Sequence, residues 1–535
     1  MSFLRAWLGW LIVGASYAAS VGGGASVGAS VGGAPLDKRP NFLLLFPDQW
    51  RFDWDSMHGE DGPPLRLPRL QKLAAEGTRF TQAYAPAPLC APSRACLASL
   101  RDYDAAGMAT NVANDYDARI PTLFQLLRQS GYHTMTAGKD DLTKASQLGF
   151  TLGHDTRNVA NTYRQEELGF SAARRFCGKD DVISTYPEPH EPYGYMLDAA
   201  RVPLENGTEV SAFDAYADCL RRRGGLCDAA SFPQRLYEDD WTAGHAVQLL
   251  QAASDKPWLL WVSFPGPHAP FATTAAMHAA ASGREWPRAV DSRKNETCGG
   301  AAGEPGLGRQ RCDYAAELEN LDRLFGLVLD AVVDRGESDS TLVCVYSDHG
   351  EMLDDHDDVG KSVPWQGAIS VPLVCSGLDV RRGATVDAPV ATIDVGATLL
   401  DYAAVSPAAG MTATSLRGAL SSAAPELNRT YVHSGLQSHP FGFVPRDQDF
   451  DFRVVVAQLG GSVFKLVCCA GSCPGAPSNA PGPDADGYTR LLFDTVADPW
   501  DLQDLFFDRP DVAEQLRLQL PTDHGFNCPA LPHAR

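Results

Sequence analysis

The sequence predicts an α/β fold: a doubly wound, mostly parallel sheet flanked by helices, followed by a smaller C-terminal α+β region with a short antiparallel sheet. Three observations carry this. Four apolar runs are continuous rather than alternating, as in strands buried on both faces. Segments with helical period lie between them. After about residue 405 the pattern shifts to Ala/Ser-rich sequence and strand-like runs.

The four runs are NFLLLFP (41–47), YHTMTA (132–137), WLLWVSF (258–264) and LVCVYS (342–347). Each leads into polar or reactive residues: Asp48-Gln49, Gly138-Lys139, Pro267-His268 and Asp348-His349. Open α/β sheets bind ligands beyond the carboxyl ends of their strands, so these groups are expected to gather at one edge. Between the runs, 69–76 places Leu70, Leu73 and Ala74 on one helical face and stops at Gly77. A helix over 121–130 is expected to start with Pro121 at its first position. Residues 313–334 carry an i, i+4, i+7 stripe from Tyr314 to Val332. A stretch at about 143–237 has no clear period and reads as an excursion. In the last region, runs at 453–459, 463–468 and 490–493 predict the antiparallel sheet.

Length and composition set the outer bounds. The 535 residues allow two or three domains, and 44% hydrophobic with 21% charged residues is ordinary globular usage. A net charge of −21 argues against nucleic acid as a partner, while leaving room for a small anion in a local positive pocket. Arg5, the apolar run 6–15 and Ser16-Tyr17-Ala18 read as a signal peptide over 1–18, too short for a stable membrane span. A repetitive Gly/Ala/Ser/Val linker covers 19–36. The main domain is expected over 37–405 and the smaller one over 406–535. Acceptor sites for N-glycans at Asn206, Asn295 and Asn428, with thirteen cysteines, point to the secretory pathway, ending outside the cell or in a lysosome-like compartment. Cys219 with Cys227 and Cys298 with Cys312 are spaced for small-loop disulfides.

Cys90-Ala91-Pro92-Ser93-Arg94 is the most specific motif, reading C-x-P-S-R. Around it stand PNFLL with Asp48, Gly77-x-x-Phe80-x-x-Ala83-Tyr84, Gly131-Tyr132-x-Thr134, Gly138-Lys139, Pro267-His268-x-Pro270, Ser347-Asp348-His349-Gly350-Glu351, Lys361 ahead of Val371-Pro372-Leu373, the 394–401 helix and the 492–499 element. Over most of the mature chain this resembles the type I sulfatases of the alkaline-phosphatase-like superfamily. The resemblance implies that Cys90 is converted to formylglycine by a formylglycine-generating enzyme. It also implies that Asp48, Gln49, residue 90, Asp348 and His349 bind one calcium ion. In that scheme the hydrated aldehyde, polarised by Asp348, attacks sulfur. His268 and Lys361 assist the leaving alcohol, while Arg94 and Lys139 hold the formylglycine.

Three positions depart from the family pattern. Gln49 stands where many members have aspartate. The usual L-T-G-R after the signature ends here in Ser99-Leu100-Arg101. G-K-x-H becomes Gly138-Lys139-Asp140-Asp141, which leaves Asp141 as a candidate base. G-K-x-D resembles the arylsulfatase K branch, whose substrates are uronate 2-sulfates. The expected function is hydrolysis of sulfate monoesters on a sulfated saccharide. The alternatives are a phosphodiesterase or phosphonate monoester hydrolase on the same fold, and an inactive glycan-binding homologue. His356 and the acidic run 354–358 read as a loop over the site, and Cys468, Cys469 and Cys473 as structural cysteines.

Overall fold

Asn41–Pro47 turns Phe42, Leu44 and Phe46 to one apolar cluster and Leu43 and Leu45 to another, so this strand is buried on both faces. A computed structural model describes residues 39–529 apart from 59–61, 112–114, 144–161, 186–191, 204–206, 222–231, 294–306, 423–426, 428, 438–450, 477–479, 522–525 and 527. The expected signal peptide, the linker, the three glycan acceptors, Cys227 and Cys298 lie outside the described residues. In chain order the strands are β1 (Asn41–Pro47), β2 (Gly77–Phe80), β3 (Ala83–Tyr84), β4 (His133–Lys139), β5 (Ala172–Phe176), β6 (Arg201–Pro203), β7 (Glu209–Ser211), β8 (Trp258–Phe264), β9 (Thr341–Tyr346), β10 (Leu373–Ser376), β11 (Ala384–Val386), β12 (Val390–Ala391), β13 (Val432–Gln437), β14 (Asp451–Leu459), β15 (Ser462–Ala470) and β16 (Tyr488–Asp494).

Eight of these form the main sheet, in the order β11-β2-β10-β9-β1-β8-β4-β5. β9, β1, β8, β4 and β5 run parallel, and β10 is antiparallel to both its neighbours. Helices Cys90–Ser99, Leu123–Gln129 and Ile393–Tyr402 pack on one face. Helices Glu238–Ala252 and Leu307–Asp334 pack on the other. This is the doubly wound arrangement that the alternating pattern predicts. β13 to β16 form the antiparallel sheet, one face joining the core of the signature helix and the other meeting helix Pro510–Arg517. Residues 35–535 cluster as one compact unit.

The structure differs from the sequence reading in several places. Pro121 precedes its helix rather than opening it: Thr122 is the cap, its hydroxyl accepting from Gln125 N while Gln125 Oε1 accepts from Thr122 N. The excursion is also not separate from the fold. It contributes β5 to the main sheet and packs Tyr193 and Tyr216 into a third apolar cluster shared with Trp241, Met277 and Ala316 of the helices that follow. β5 reads AARRF, with its first three residues partly exposed, so it lacks the unbroken apolar run that marks the inner strands.

The signature helix begins at Cys90 itself, and every residue of it is buried. Pro92 sits in the first turn, where a missing N–H breaks no helical bond. The helix ends at Leu100, whose φ of 54° is left-handed. Leu100 thus holds a conformation that favours glycine, at about 1–2 kcal/mol of backbone strain. Burial compensates: Leu100 is 1% exposed. It packs so closely on Gly396 that a Cβ there would meet it at 2.3 Å. Disulfides join Cys344 to Cys375 across β9 and β10, Cys468 to Cys528 and Cys469 to Cys473. Cys219 and Cys312 are disulfide-bonded too. Among the described residues no helix is long and apolar enough to cross a membrane.

Candidate active site

Four contiguous strands, β9, β1, β8 and β4, end side by side, and each delivers a site residue at or just past its carboxyl end. With strands about 4.8 Å apart, this edge brings Asp348-His349, Asp48, His268 and Lys139 within a span of about 15 Å. Gly138 allows the last of these: at φ 100° its missing Cβ would lie 1.9 Å from Ser263 O, so only glycine lets β4 pass this close to β8. The signature helix then points its first residue into the same edge.

Asp48, Cys90, Asp348 and His349 each offer a ligand atom, all within 4.8 Å of one another and all buried. Cys90 Sγ lies 3.2 Å from His349 Nε2, 3.9 Å from Asp48 Oδ1 and 2.9 Å from Lys361 Nζ. Arg94 ties the carboxylates together: Nε donates to Asp348 Oδ2 (2.9 Å) and Nη2 to Asp48 Oδ2 (3.2 Å), while Nη1 reaches Ser263 Oγ and Lys139 O. Lys139 Nζ donates to Asp48 and pairs with Asp141 at 3.2 Å. Ser93 Oγ donates to the Asp348 carbonyl at 2.6 Å.

The charges are strongly coupled. Burial alone would raise the Asp48 carboxyl, but Lys139, His268, Arg94 and Lys361 hold it well below the usual range. Burial and Asp48 push the Cys90 thiol up, yet Lys139, Lys361 and His349 outweigh them and bring it down to about 5. Burial disfavours a charged His349, and Asp348 reverses this and raises it. The helix N-terminus at Cys90 adds to the pull on a negative charge there.

Some expected contacts are redistributed. Arg94 and Lys139 hold the carboxylates rather than residue 90, and Lys361 is the cation that reaches Sγ. Gln49, expected beside the cation, has its side chain between protein partners: Nε2 donates to Glu351 and Oε1 accepts from Lys361 at 2.6 Å. Its backbone N–H, at φ 70°, donates to Asp348 Oδ1. Asp141 serves Lys139. His356 turns to Asp291 and the Trp500 carbonyl, outside the cluster. His268 and Lys361 are partly exposed, while Asp48, Gln49, Cys90, Arg94, Lys139, Asp141, Asp348 and His349 are buried.

Sequence reasoning passed over three supporting groups. Glu351 accepts from Gln49 and from Leu353 N and Gly360 N, fixing the loop that carries Lys361. It stands inside the S-D-H-G-E motif, where its position was the available signal. Tyr314 donates to the Gln49 carbonyl, although its place in an apolar helical stripe marks it only as core. Asp239 Oδ1 accepts from Gly266 N at 3.0 Å, and Gly266 O accepts from Asp48 N at 3.1 Å, linking helix Glu238–Ala252 to both the His268 loop and Asp48. No motif marks Asp239.

Residues 40–405 match the sulfatase family, and the chain belongs to it. It is 27% identical over 506 residues to arylsulfatase K of Danio rerio, covering 89% of this chain and 82% of that one. Among solved structures it is similar to the phosphonate monoester hydrolase of Agrobacterium radiobacter (TM-score 0.65, 21% identity, 90% of this chain and 96% of that one). It is also similar to an enzyme solved in complex with its substrate D-glucosamine-2-N,6-O-disulfate (TM-score 0.64, 16% identity, 90% and 97%). The chain is a sulfatase, a hydrolase of sulfate esters built on the alkaline-phosphatase-like fold.

Proposed function

We propose that this sulfatase removes sulfate from a sulfated saccharide in the secretory pathway or beyond it, using Cys90 as the precursor of its nucleophile and a calcium ion in the cluster. The carrying observation is the placement of Cys90: a buried helix N-terminus, 2.9 Å from Lys361 Nζ and inside a set of two carboxylates and an imidazole. The donor set suits a divalent cation, and with an oxygen-bearing residue at 90 three of its four donors would be oxygen, the preference of a hard ion. Asp48, Asp348, His349 and residue 90 would hold the ion, which supplies charge neutralisation at the sulfate oxygens. Formylglycine, as its hydrate, supplies the attacking oxygen.

The chain's own groups do the rest. Arg94 and Lys139 fix the carboxylates and keep them ionised. Lys361 presents a proton-rich ammonium beside residue 90, where negative charge grows. His268, at the solvent boundary, is placed to give a proton to the departing alcohol. Asp141 stands 3.2 Å from Lys139, so a proton can pass between them inside the pocket. Resemblance to the arylsulfatase K branch at G-K-x-D supports a uronate 2-sulfate in a glycosaminoglycan as the substrate.

Protein from a secretory host should carry formylglycine in the Cys90 peptide by mass spectrometry. It should release sulfate from a panel of sulfated saccharides in calcium buffer, and Cys90→Ala should abolish turnover. Faster turnover of a phosphodiester or phosphonate monoester than of every sulfate ester would overturn the reading in favour of the phosphonate hydrolase class. Glycan binding without turnover would favour an inactive homologue.

A further inference from the structure

The unmodified cysteine gives the same pocket a different donor set. With Cys90 intact the cluster offers one sulfur, one imidazole nitrogen and two carboxylates. Thiolate and imidazole select borderline-soft ions, and a set of S, N and two O is far from the all-oxygen cage that calcium takes. The spacing agrees. Zinc bonds of about 2.0–2.3 Å arranged tetrahedrally separate neighbouring donors by about 3.3–3.8 Å. Here Sγ to Nε2 is 3.2 Å, Nε2 to Asp348 Oδ2 is 3.7 Å, Nε2 to Asp48 Oδ1 is 3.8 Å and Sγ to Asp48 Oδ1 is 3.9 Å.

A second, independent feature points to a ligand. His349 Nδ1 faces the Gly350 carbonyl at 3.0 Å. As donor there it fixes the tautomer and turns the Nε2 lone pair into the cluster, the outer-shell arrangement typical of metal-bound histidine. The surroundings can balance the ion. Three anionic donors and a doubly charged ion leave one net negative charge, with Arg94 and Lys139 on Asp48 Oδ2, the oxygen not used in the cluster, and Arg94 Nε also on Asp348 Oδ2. Lys361, partly exposed, adds a third cation, its ammonium shared between Sγ and Gln49 Oε1.

We propose that the chain with unmodified Cys90 is a closed, four-ligand site for zinc or a similarly borderline-soft divalent cation, held by Asp48, Cys90, Asp348 and His349. Conversion of Cys90 to an oxygen-bearing residue shifts the preference toward a hard cation. One polypeptide thus has two metal specificities, set by the state of a single side chain. The inference concerns the unconverted chain and does not depend on sulfate hydrolysis.

The test uses full-length protein from a host that leaves Cys90 unmodified, verified by peptide mass and stripped with chelator. Calorimetric titration with zinc alone and calcium alone should show zinc bound in preference to calcium at one to one. Cobalt substitution should give a thiolate-to-cobalt charge-transfer band. Cys90→Ser and His349→Asn should each weaken zinc by about a hundredfold, with circular dichroism checking their folding. The band also reads the site in the unmutated chain, should a variant not fold. Equal zinc affinity in folded Cys90→Ser, absence of the band, or calcium outcompeting zinc in the unmodified chain would each overturn the proposal.

Discussion

At the scale of single residues, the site depends on Arg94 more than its motif position suggests. Its planar fork reaches two carboxylates beyond different strands together with the Ser263 hydroxyl and the Lys139 carbonyl, a fixed set of donors that a single ammonium does not reproduce. Arg94→Lys should therefore lower kcat/KM by about a hundredfold and lower the melting temperature, since one buried carboxylate loses its partner. Steady-state kinetics with a thermal melt check both. Asp239 carries a pH signature. Burial and then Glu238 push its carboxyl up to about 8, against the attraction of Lys179. Between its unfolded value near 4 and about 8 the native state holds the extra proton, so this residue's contribution to stability declines as pH rises through that window. Asp239→Asn keeps an acceptor for Gly266 N–H without the titration. Its urea midpoint relative to wild type should rise from pH 5 to pH 8, and a pH-independent difference would refute this. The gathering of Asp48, Cys90, Asp348 and His349 was readable because three of them follow apolar runs and Cys90 stands in a specific motif. Asp239 and Tyr314 were not, because their function is a hydrogen bond to backbone far away in sequence.

At the scale of elements, the inner strands were legible and the edge was not. β1, β8 and β9 are apolar throughout because both faces are covered, whereas β5 is half solvated and its AARRF sequence has no strong period. The Pro121 misreading has a similar cause: a proline before a capping threonine looks like a proline at the first helical position. The signature helix shows how a departure is tolerated. Leu100 accepts a left-handed backbone because its side chain fills space above Gly396, and its carbonyl accepts from Thr412 and Ala413. Leu100→Ala retains the strain and loses the packing, so it should destabilise by about 2–5 kcal/mol in chemical denaturation. Leu100→Gly relieves the strain and should cost about 1–2 kcal/mol less than the alanine variant.

At the scale of the whole molecule, the smaller antiparallel sheet shares its core with the signature helix, through Phe452, Val454 and Val456. Its outer face is closed by the Cys468–Cys528 bond, which spans 60 residues. Loop entropy puts its contribution at about 4 kcal/mol. The Cys468→Ser/Cys528→Ser double variant should melt well below wild type, and because the sheet buttresses the signature helix, activity should disappear in the same transition. Separate transitions for activity and for the far-ultraviolet signal would show the sheet to be dispensable. The sequence pattern indicated this sheet as a distinct region. It could not show the shared core, because apolar runs reveal that a strand is buried but not what covers it.

The contrast between the buried cluster and the partly exposed His268 and Lys361 has one further consequence. In the proposed function the pocket would read the charged end of its substrate and leave the organic part at the rim. Discrimination between alcohols must then reside in the surrounding loops, which can diverge without disturbing the chemistry beneath them. The buried half of the site is in that sense a portable device, and exchanging rim segments should alter which ester is cleaved before it alters how the bond is broken.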